Sequence, residues 1–310
     1  RFGNEQDRLK GMGRFKNVDS GMGCHIFGEI GADQGLFVFG EGLFESLHQP
    51  FGSAFHRFDE DGIFAIAGAD FSAMLNGAPL QNNAAYLAHK GDLLEMGAAK
   101  NGFRAYISIS GGFDIPKVME SRSTCLSAGF GGFEGRALKT GDRIGFRSPQ
   151  LWLRNLTDRR CNSFYHENAP VQVVLGPQQD AFSEAGIEAF FHAEYKLSSQ
   201  CDRMGCRLEG AEISLKEGKS PNILSDGIVM GSIQVPNGQP IVMMADRQTT
   251  GGYAKLGTVA SCALPLMAQK RPGDTVCFEQ VSVAEAQKHR RRLVRKLKNL
   301  EQELNFAGRW

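Results

Sequence analysis

Glycine constrains this chain more than any other residue. Thirty-eight glycines are spread through the 310 residues, and they punctuate short apolar runs. Glycine weakens a helix interior, but it supplies the positive φ that tight turns require. A chain built this way reads as short strands joined by turns. Strands are expected at residues 63–67, 103–110, 171–175, 227–235 and 240–244. The run at 103–110, Phe-Arg-Ala-Tyr-Ile-Ser-Ile-Ser, alternates apolar and polar residues at its end, the mark of a strand buried on one face. Asn76-Gly77 and Asn237-Gly238 each lie between apolar runs, and an Asn-Gly pair favours a two-residue hairpin turn. Gly91-Asp92, Gly141-Asp142 and Pro272-Gly273-Asp274 read as turns feeding further strands.

Helices are fewer. Residues 180–193 carry Ser183, a natural cap for a short helix. A longer helix is expected from about residue 283 to residue 304, where Leu293, Leu297, Leu300 and Leu304 share one face. Its other faces carry Arg290, Arg291, Arg292, Arg295, Lys296 and Lys298. The leucine stripe is expected to be buried against the domain or a partner while the arginines stay in water. A polar, mixed stretch at 147–169 marks a boundary. It divides the chain into an N-terminal β domain, 1–160, and a C-terminal β domain with the tail helix, 161–310.

Composition removes several function classes. The formal net charge is +1, which argues against a broad nucleic-acid footprint. No apolar run reaches the roughly 18 residues of a membrane span. Residues 1–10 are charged and lack the apolar core of a signal peptide. A cytoplasmic protein is expected. The seven cysteines, Cys24, Cys125, Cys161, Cys201, Cys206, Cys262 and Cys277, form no Cys-x-x-Cys pair. They read as reduced thiols, and no metal site is expected.

Three segments are more polar and glycine-rich than a β core requires. In the first, Ser-Gly-Gly-Phe-Asp-Ile-Pro (110–116) precedes Arg122, Ser123 and Thr124. Arg122 beside hydroxyls would hold an anion; a strand-end turn is the alternative. The glycines at 129–136 lack the P-loop spacing. In the second, at 198–210, Arg203 would grip a substrate carboxylate at two points. Asp202 would serve as a base or merely orient Arg203, and a structural Asp–Arg pair is the other reading. In the third, Gln234 is followed by Asp246, Gln248, Thr249, Thr250, Gly251, Gly252 and Tyr253 at the end of an apolar strand. A loop held by a sheet and offering this many donors and acceptors suits a small polar amide or carboxylate.

These segments occur in a telling order: 110–116, Ser-Arg-Ser-Thr (121–124), Gly-Phe-Gly-Gly-Phe-Glu-Gly-Arg (129–136), Asp-Arg-Met-Gly-Cys-Arg-Leu-Glu-Gly (202–210), Gly-Ser-Ile-Gln-Val-Pro (231–236) and Asp-Arg-Gln-Thr-Thr-Gly-Gly-Tyr (246–253). Together they resemble the allophanate hydrolase subunit 2 family, to which the 5-oxoprolinase C subunits and biotin-dependent carboxyltransferase domains are related. The sequence departs from the family pattern at residues 5–12, at Gly31-Ala32-Asp33, at Ala254 and at Ala263.

The resemblance implies two cyclophilin-like β-barrel domains with a C-terminal helix. It implies an ATP-dependent opening of 5-oxo-L-proline to L-glutamate, active only with a subunit 1 partner, like the B subunit of 5-oxoprolinase, and a third hydrolase subunit. ATP would enter through the complex, at a site not located in this chain. Arg203 is the expected carboxylate anchor. Asp246, Gln248, Thr249 and Thr250 are the expected polarising set, with Asp202 as a further candidate base. Arg122, Ser123, Thr124, Gln234 and Tyr253 are the remaining substrate-binding candidates. Two other readings belong to the same resemblance: a regulatory protein that antagonises a kinase inhibitor, and the carboxyltransferase subunit of a biotin-dependent urea carboxylase or allophanate system.

Overall fold

A computed structural model describes residues 37–40, 54–126, 128–147, 151–153, 155–162 and 169–306. The signal-peptide reading at 1–10 and the departures at 5–12 and 31–33 lie outside the described residues.

The first half contains β1 (Phe37–Gly40), β2 (Ala54–Arg57), β3 (Gly62–Asp70), β4 (Met74–Leu75), β5 (Ala78–Pro79), β6 (Ala84–Ala88), β7 (Leu93–Met96) and β8 (Asn101–Ile109). They form two antiparallel sheets, ordered β1-β8-β3-β6 and β2-β7-β4-β5. A small pair, β9 (Thr124–Cys125) and β10 (Phe130–Gly131), follows. Alternation decides the packing. Phe103, Ala105, Ile107 and Ile109 are buried, and the residues between them are less so. Ala105, Ile107 and Ile109 join Phe64, Ile66, Phe71, Leu94 and Met96 in one apolar core. The Asn76-Gly77 turn forms as expected: both residues have positive φ, and β4 pairs antiparallel with β5 across them.

The second half contains β11 (Val171–Leu175), α1 (Glu184–His192), β12 (Tyr195–Cys201), β13 (Gly205–Glu209), β14 (Asn222–Gly227), β15 (Ser232–Gln234), β16 (Ile241–Met243), β17 (Thr250–Tyr253), β18 (Lys255–Val259), α2 (Leu264–Ala268), β19 (Thr275–Val276), β20 (Phe278–Gln280) and α3 (Val283–Phe306). Eight strands share one sheet, ordered β19-β12-β13-β16-β15-β18-β11-β20. Its two edge strands, β19 and β20, are separated in sequence by Cys277 alone, so the sheet curls into a nearly closed barrel. Tyr195, Phe182, Phe190, Leu197, Leu208 and Ile233 fill a second core, and the Phe190 ring stacks on Phe278 at 4.5 Å. The Ser183 Oγ caps α1 by accepting from the Gly186 N–H at 2.9 Å. The chain is thus mainly β, with a barrel sheet and a C-terminal helix, as its sequence leads one to expect.

One carboxamide fastens the two halves together. Gln269, just past α2, accepts from the N–H groups of Phe103 and Arg104, both at 2.9 Å, and donates to the Arg104 carbonyl at 2.8 Å. The Arg104 guanidinium donates in turn to the Ala268 carbonyl. Gly102, at φ +79°, sits against Gln269 and Ala69, and a side chain there would meet both.

Three expectations are corrected. The run at 227–235 is not one strand: β14 ends at Gly227 and β15 begins at Ser232, and Gly231 turns the chain between them at φ +86°. Cys201 and Cys206 are not separate thiols but a disulfide. They face each other directly in the β12–β13 hairpin, with Cα atoms 4.1 Å apart. An odd, scattered cysteine count speaks to the compartment and is blind to such pairing. The leucines of α3 are only half-buried, although Arg291, Arg292, Arg295, Lys296 and Lys298 are exposed as expected. A 24-residue helix is about 36 Å long, about twice the length of the five-residue strand β11 to which His289 bonds. Much of the stripe therefore runs past its support.

Candidate functional site

The Asp246 loop and the 198–210 segment meet. The β12–β13 hairpin turns at residues 202–204, and the Asp202 carboxylate closes that turn by accepting from the N–H groups of Met204 (2.7 Å) and Gly205 (3.1 Å). This is an Asx turn, and it assigns Asp202 to backbone geometry. Arg203 then reaches across to the loop after β16. Its Nε and Nη2 donate to the two oxygens of Asp246 at 2.7 and 2.9 Å. The main chains are joined as well, with the Asp246 N–H on the Arg203 carbonyl at 2.7 Å. Asp246 therefore takes the Nε and Nη2 side of the Arg203 guanidinium.

Beyond this pair the chain passes Gln248, Thr249 and Thr250, all exposed, into β17. Strand β17 pairs with β14 alone, as a two-stranded flap outside the barrel sheet. Arg247 braces the entry by donating to the Ile228 carbonyl at 3.2 Å, and the Ile228 N–H bonds the Thr249 carbonyl. Gln234, 2% exposed on β15, lies beneath the flap. Its amide donates to the Tyr253 carbonyl at 3.3 Å. Gly251 has no side chain, and any Cβ there would strike the Gln234 amide and Ile228. Tyr253 itself is 42% exposed on the outer strand.

A charged residue that the sequence reading passed over completes this region. Lys255, 4% exposed, opens β18 and stands opposite Gln234 in the ladder. Directly opposed residues on antiparallel strands project on one face. The Lys255 ammonium donates to Asp226 of β14 at 3.0 Å. Gln178 accepts from the Lys255 N–H at 3.2 Å, and its side chain also bonds Asp226. The Lys255 hydrogen bond, joined by the Gly227 N–H and the lysine charge, holds the Asp226 carboxyl below the usual carboxylate range. The sequence does carry a signal for this residue: a lysine at the head of an otherwise apolar strand, Lys-Leu-Gly-Thr-Val.

Arg122, Ser123 and Thr124 belong to the first half. Arg122 Nε donates to the Ile115 carbonyl at 2.9 Å, the Ser123 N–H to Ser121 Oγ at 3.1 Å, and the Phe133 N–H to Thr124 Oγ1 at 3.3 Å. These bonds serve local turns. In the nearby glycine-rich run, Arg136 forks onto Asp142 at 2.7 and 2.9 Å and also meets Glu134. The Arg136 guanidinium holds the Asp142 carboxyl below its usual range. Side chains at Gly132 and Gly135 would collide with Thr124 and with the backbone at Gly129. Two carboxylates on the one arginine and closed glycines do not fit a nucleotide phosphate. Among the described residues no cluster of metal-ligating side chains occurs. No helix among them is long and apolar enough to cross a membrane.

The fold and the flap region define a β-barrel protein of the carboxyltransferase type. The chain belongs to the carboxyltransferase domain family, subdomains A and B, which it matches over residues 47–280. It is 35% identical to the 5-oxoprolinase C subunit of Haemophilus influenzae, a match covering 80% of this chain and 78% of that one. It is 36% identical to the protein of the same name from Escherichia coli, over 76% and 74% of the two chains. Among solved structures, the urea carboxylase of Kluyveromyces lactis superposes with a TM-score of 0.68 at 28% identity, covering 81% of this chain. This chain spans only 23% of that longer protein.

Proposed function

We propose that this chain is the C subunit of an ATP-dependent 5-oxoprolinase, a hydrolase that opens 5-oxo-L-proline to L-glutamate together with a subunit 1 partner and a third hydrolase subunit. The observation that carries this reading is the identity of 35% and 36% to two proteins of that name, over about three-quarters or more of both partners in each comparison. The urea carboxylase likeness is weaker in sequence and covers less than a quarter of its partner.

The chemistry asks for donors aimed at an amide oxygen and a grip on the neighbouring carboxylate. Gln248, Thr249 and Thr250 stand at the head of the flap, where a lactam carbonyl would be polarised. Arg203 and Asp246 act as one fork that fixes the loop carrying them. Gln234 supports the flap from beneath, and Tyr253 offers a hydroxyl on its outer strand. No nucleotide-binding residues are assigned to this chain, and ATP is placed with the partner subunits. The cytoplasm suits such a complex.

The test is reconstitution. The purified chain should not turn over 5-oxoproline alone. With its partner subunits it should release L-glutamate and phosphate in a 5-oxoproline-dependent manner. Full turnover by the isolated chain, or none by the assembled complex, overturns the reading. A second reading, that of a carboxyltransferase component, is favoured by the family match itself. Biotin-dependent carboxyl transfer to urea by the same complex would establish it instead.

A further inference from the structure

Lys255 is the most deeply buried of the described cations, and its partner Asp226 is a carboxylate on a flap strand, 57% exposed at the side chain. The asymmetry is informative. A buried ammonium must be paired, whereas an exposed carboxylate is stable in water without help. The lysine therefore needs a carboxylate, but nothing requires that it be this one. Asp226 also has a second acceptor role close by, taking the Gly227 N–H at 2.7 Å on its other oxygen.

The surroundings of the lysine are those of a carboxylate receptor. The Gln178 side chain bonds both the Lys255 main chain and Asp226. Gln234, fully buried, brings a second carboxamide to the same side of the sheet. Asp226 is the ladder partner of Gly251, whose missing side chain lets the flap backbone close onto the Gln234 amide. The Lys255 ammonium and the Gln178 carboxamide thus meet at Asp226 beneath a two-stranded flap, while the Gln234 amide is held by the Tyr253 carbonyl. A side-chain rotation of Asp226 into water would vacate the position its carboxylate holds.

We propose that Lys255, with Gln178, is the carboxylate-binding subsite of this protein, and that Asp226 is an internal carboxylate that occupies it until a small amide-bearing acid, such as 5-oxoproline, displaces it. The proposal rests on the functional reading above for the identity of the acid, but the receptor geometry stands by itself. It gives the substrate grip to the buried Lys255 rather than to Arg203, whose Nε and Nη2 side is held by Asp246.

The experiment is a titration of the full chain, by calorimetry, with 5-oxo-L-proline, L-glutamate and 2-pyrrolidinone, the last being the same lactam without its carboxylate. The wild-type chain should bind 5-oxoproline and bind 2-pyrrolidinone at least about tenfold more weakly, the loss expected for one charge-assisted hydrogen bond. Lys255→Met should lose about tenfold or more in 5-oxoproline affinity, and Lys255→Arg should recover most of it. Asp226→Asn should bind several-fold more tightly than wild type, because it removes the competitor. It should also melt lower than wild type without ligand and show the larger thermal upshift with it.

A merely structural ion pair predicts the opposite sign for Asp226→Asn, which would then weaken binding alongside Lys255→Met. That result overturns the proposal, as does a wild-type chain that binds none of the acids. If Lys255→Met does not fold, Lys255→Arg and Asp226→Asn still decide the matter by their signs. The two readings fail separately. Undiminished turnover of 5-oxoproline by a complex carrying Lys255→Met removes the subsite and leaves the enzyme. A wild-type complex with no turnover, whose chain still binds L-glutamate with these mutant signs, removes the oxoprolinase reading and leaves the subsite.

Discussion

Replacing Arg203 by alanine separates a structural fork from a substrate grip. The Arg203 and Asp246 side chains are 55% and 42% exposed, so each charge is substantially solvated with or without the other. Exposed ion pairs contribute about 0–1 kcal/mol, and the two-point geometry places this one at the upper end. The main-chain bond from the Asp246 N–H to the Arg203 carbonyl survives the substitution. Arg203→Ala should therefore lower stability by about 1 kcal/mol, read as a shifted urea midpoint at unchanged slope. Kinetics of the assembled complex then decide the role. A hydrogen bond to a charged group contributes about 1.5–3 kcal/mol, so an arginine gripping the substrate carboxylate would raise KM roughly ten- to a hundredfold on removal. The structure commits the Nε and Nη2 side of the guanidinium to Asp246 instead. The expected result is a KM for 5-oxoproline within about threefold of wild type. The kcat should fall by the same factor in Arg203→Ala, Asp246→Ala and the double variant, since all three lose one fork. A KM raised tenfold in Arg203→Ala but not in Asp246→Ala would refute this reasoning and return the arginine to the substrate.

Gln269→Ala should lower stability by about 2–3 kcal/mol, because one side chain makes three part-buried bonds to strand β8; a thermal midpoint unchanged to within a degree would show that the halves are held otherwise. Stability should climb from strong acid to about pH 5 as carboxyls ionise, and rise further toward about pH 7 because burial holds the His56 ring below the usual imidazole range. The Asp142 carboxyl is held low by Arg136, Asp226 by Lys255, Asp61 by the Lys90 N–H and Glu285 by the Ser282 N–H. A carboxyl depressed by folding contributes fully above its unfolded value, near 4, and the contribution disappears as pH falls through the lower folded value. Midpoints measured from pH 2.5 to 6 that stayed flat would contradict this. Intact-mass analysis without reductant should show one pair of cysteines lacking two hydrogens, mapped by peptide digestion to Cys201 and Cys206; two free thiols at those positions would refute the bond.

The readable parts of this fold are those set by neighbours in sequence. Asn76-Gly77 needs only its own backbone preferences to make a hairpin, and Ser183 needs only the N–H three residues on to cap α1. Residues 101–109 alternate because one sheet face meets a core, and alternation survives in any register. What could not be read depends on residues far apart in the chain. The Cys201–Cys206 pair lies at the margin: five residues separate the two, yet only the hairpin register makes them opposed. The failure to foresee a half-buried leucine stripe has a similar cause. Periodicity tells which side of a helix is apolar, and nothing in it tells how far the supporting surface extends.

The site follows the same logic. The two loops stood out in the sequence because the polarity of each exceeds what a turn requires, and the pairing of β13 with β16 brings them to one rim. Which partner the arginine would choose was not legible, since Asp202 is one residue away and Asp246 is forty-three. Local competition settled it: the Met204 and Gly205 N–H groups take Asp202, as a short side chain at a turn commonly does. Lys255 escaped notice for the opposite reason. A single lysine beginning a strand looks like an exposed edge residue, and only the flap formed by residues 222–227 and 250–253 buries it. That burial turns an ordinary charge into one that must always hold an anion. A protein acting on small acids would keep such a group at its binding site and lend it an internal carboxylate between ligands. The titration of Asp226→Asn distinguishes that arrangement from a simple latch by the sign of its effect on affinity.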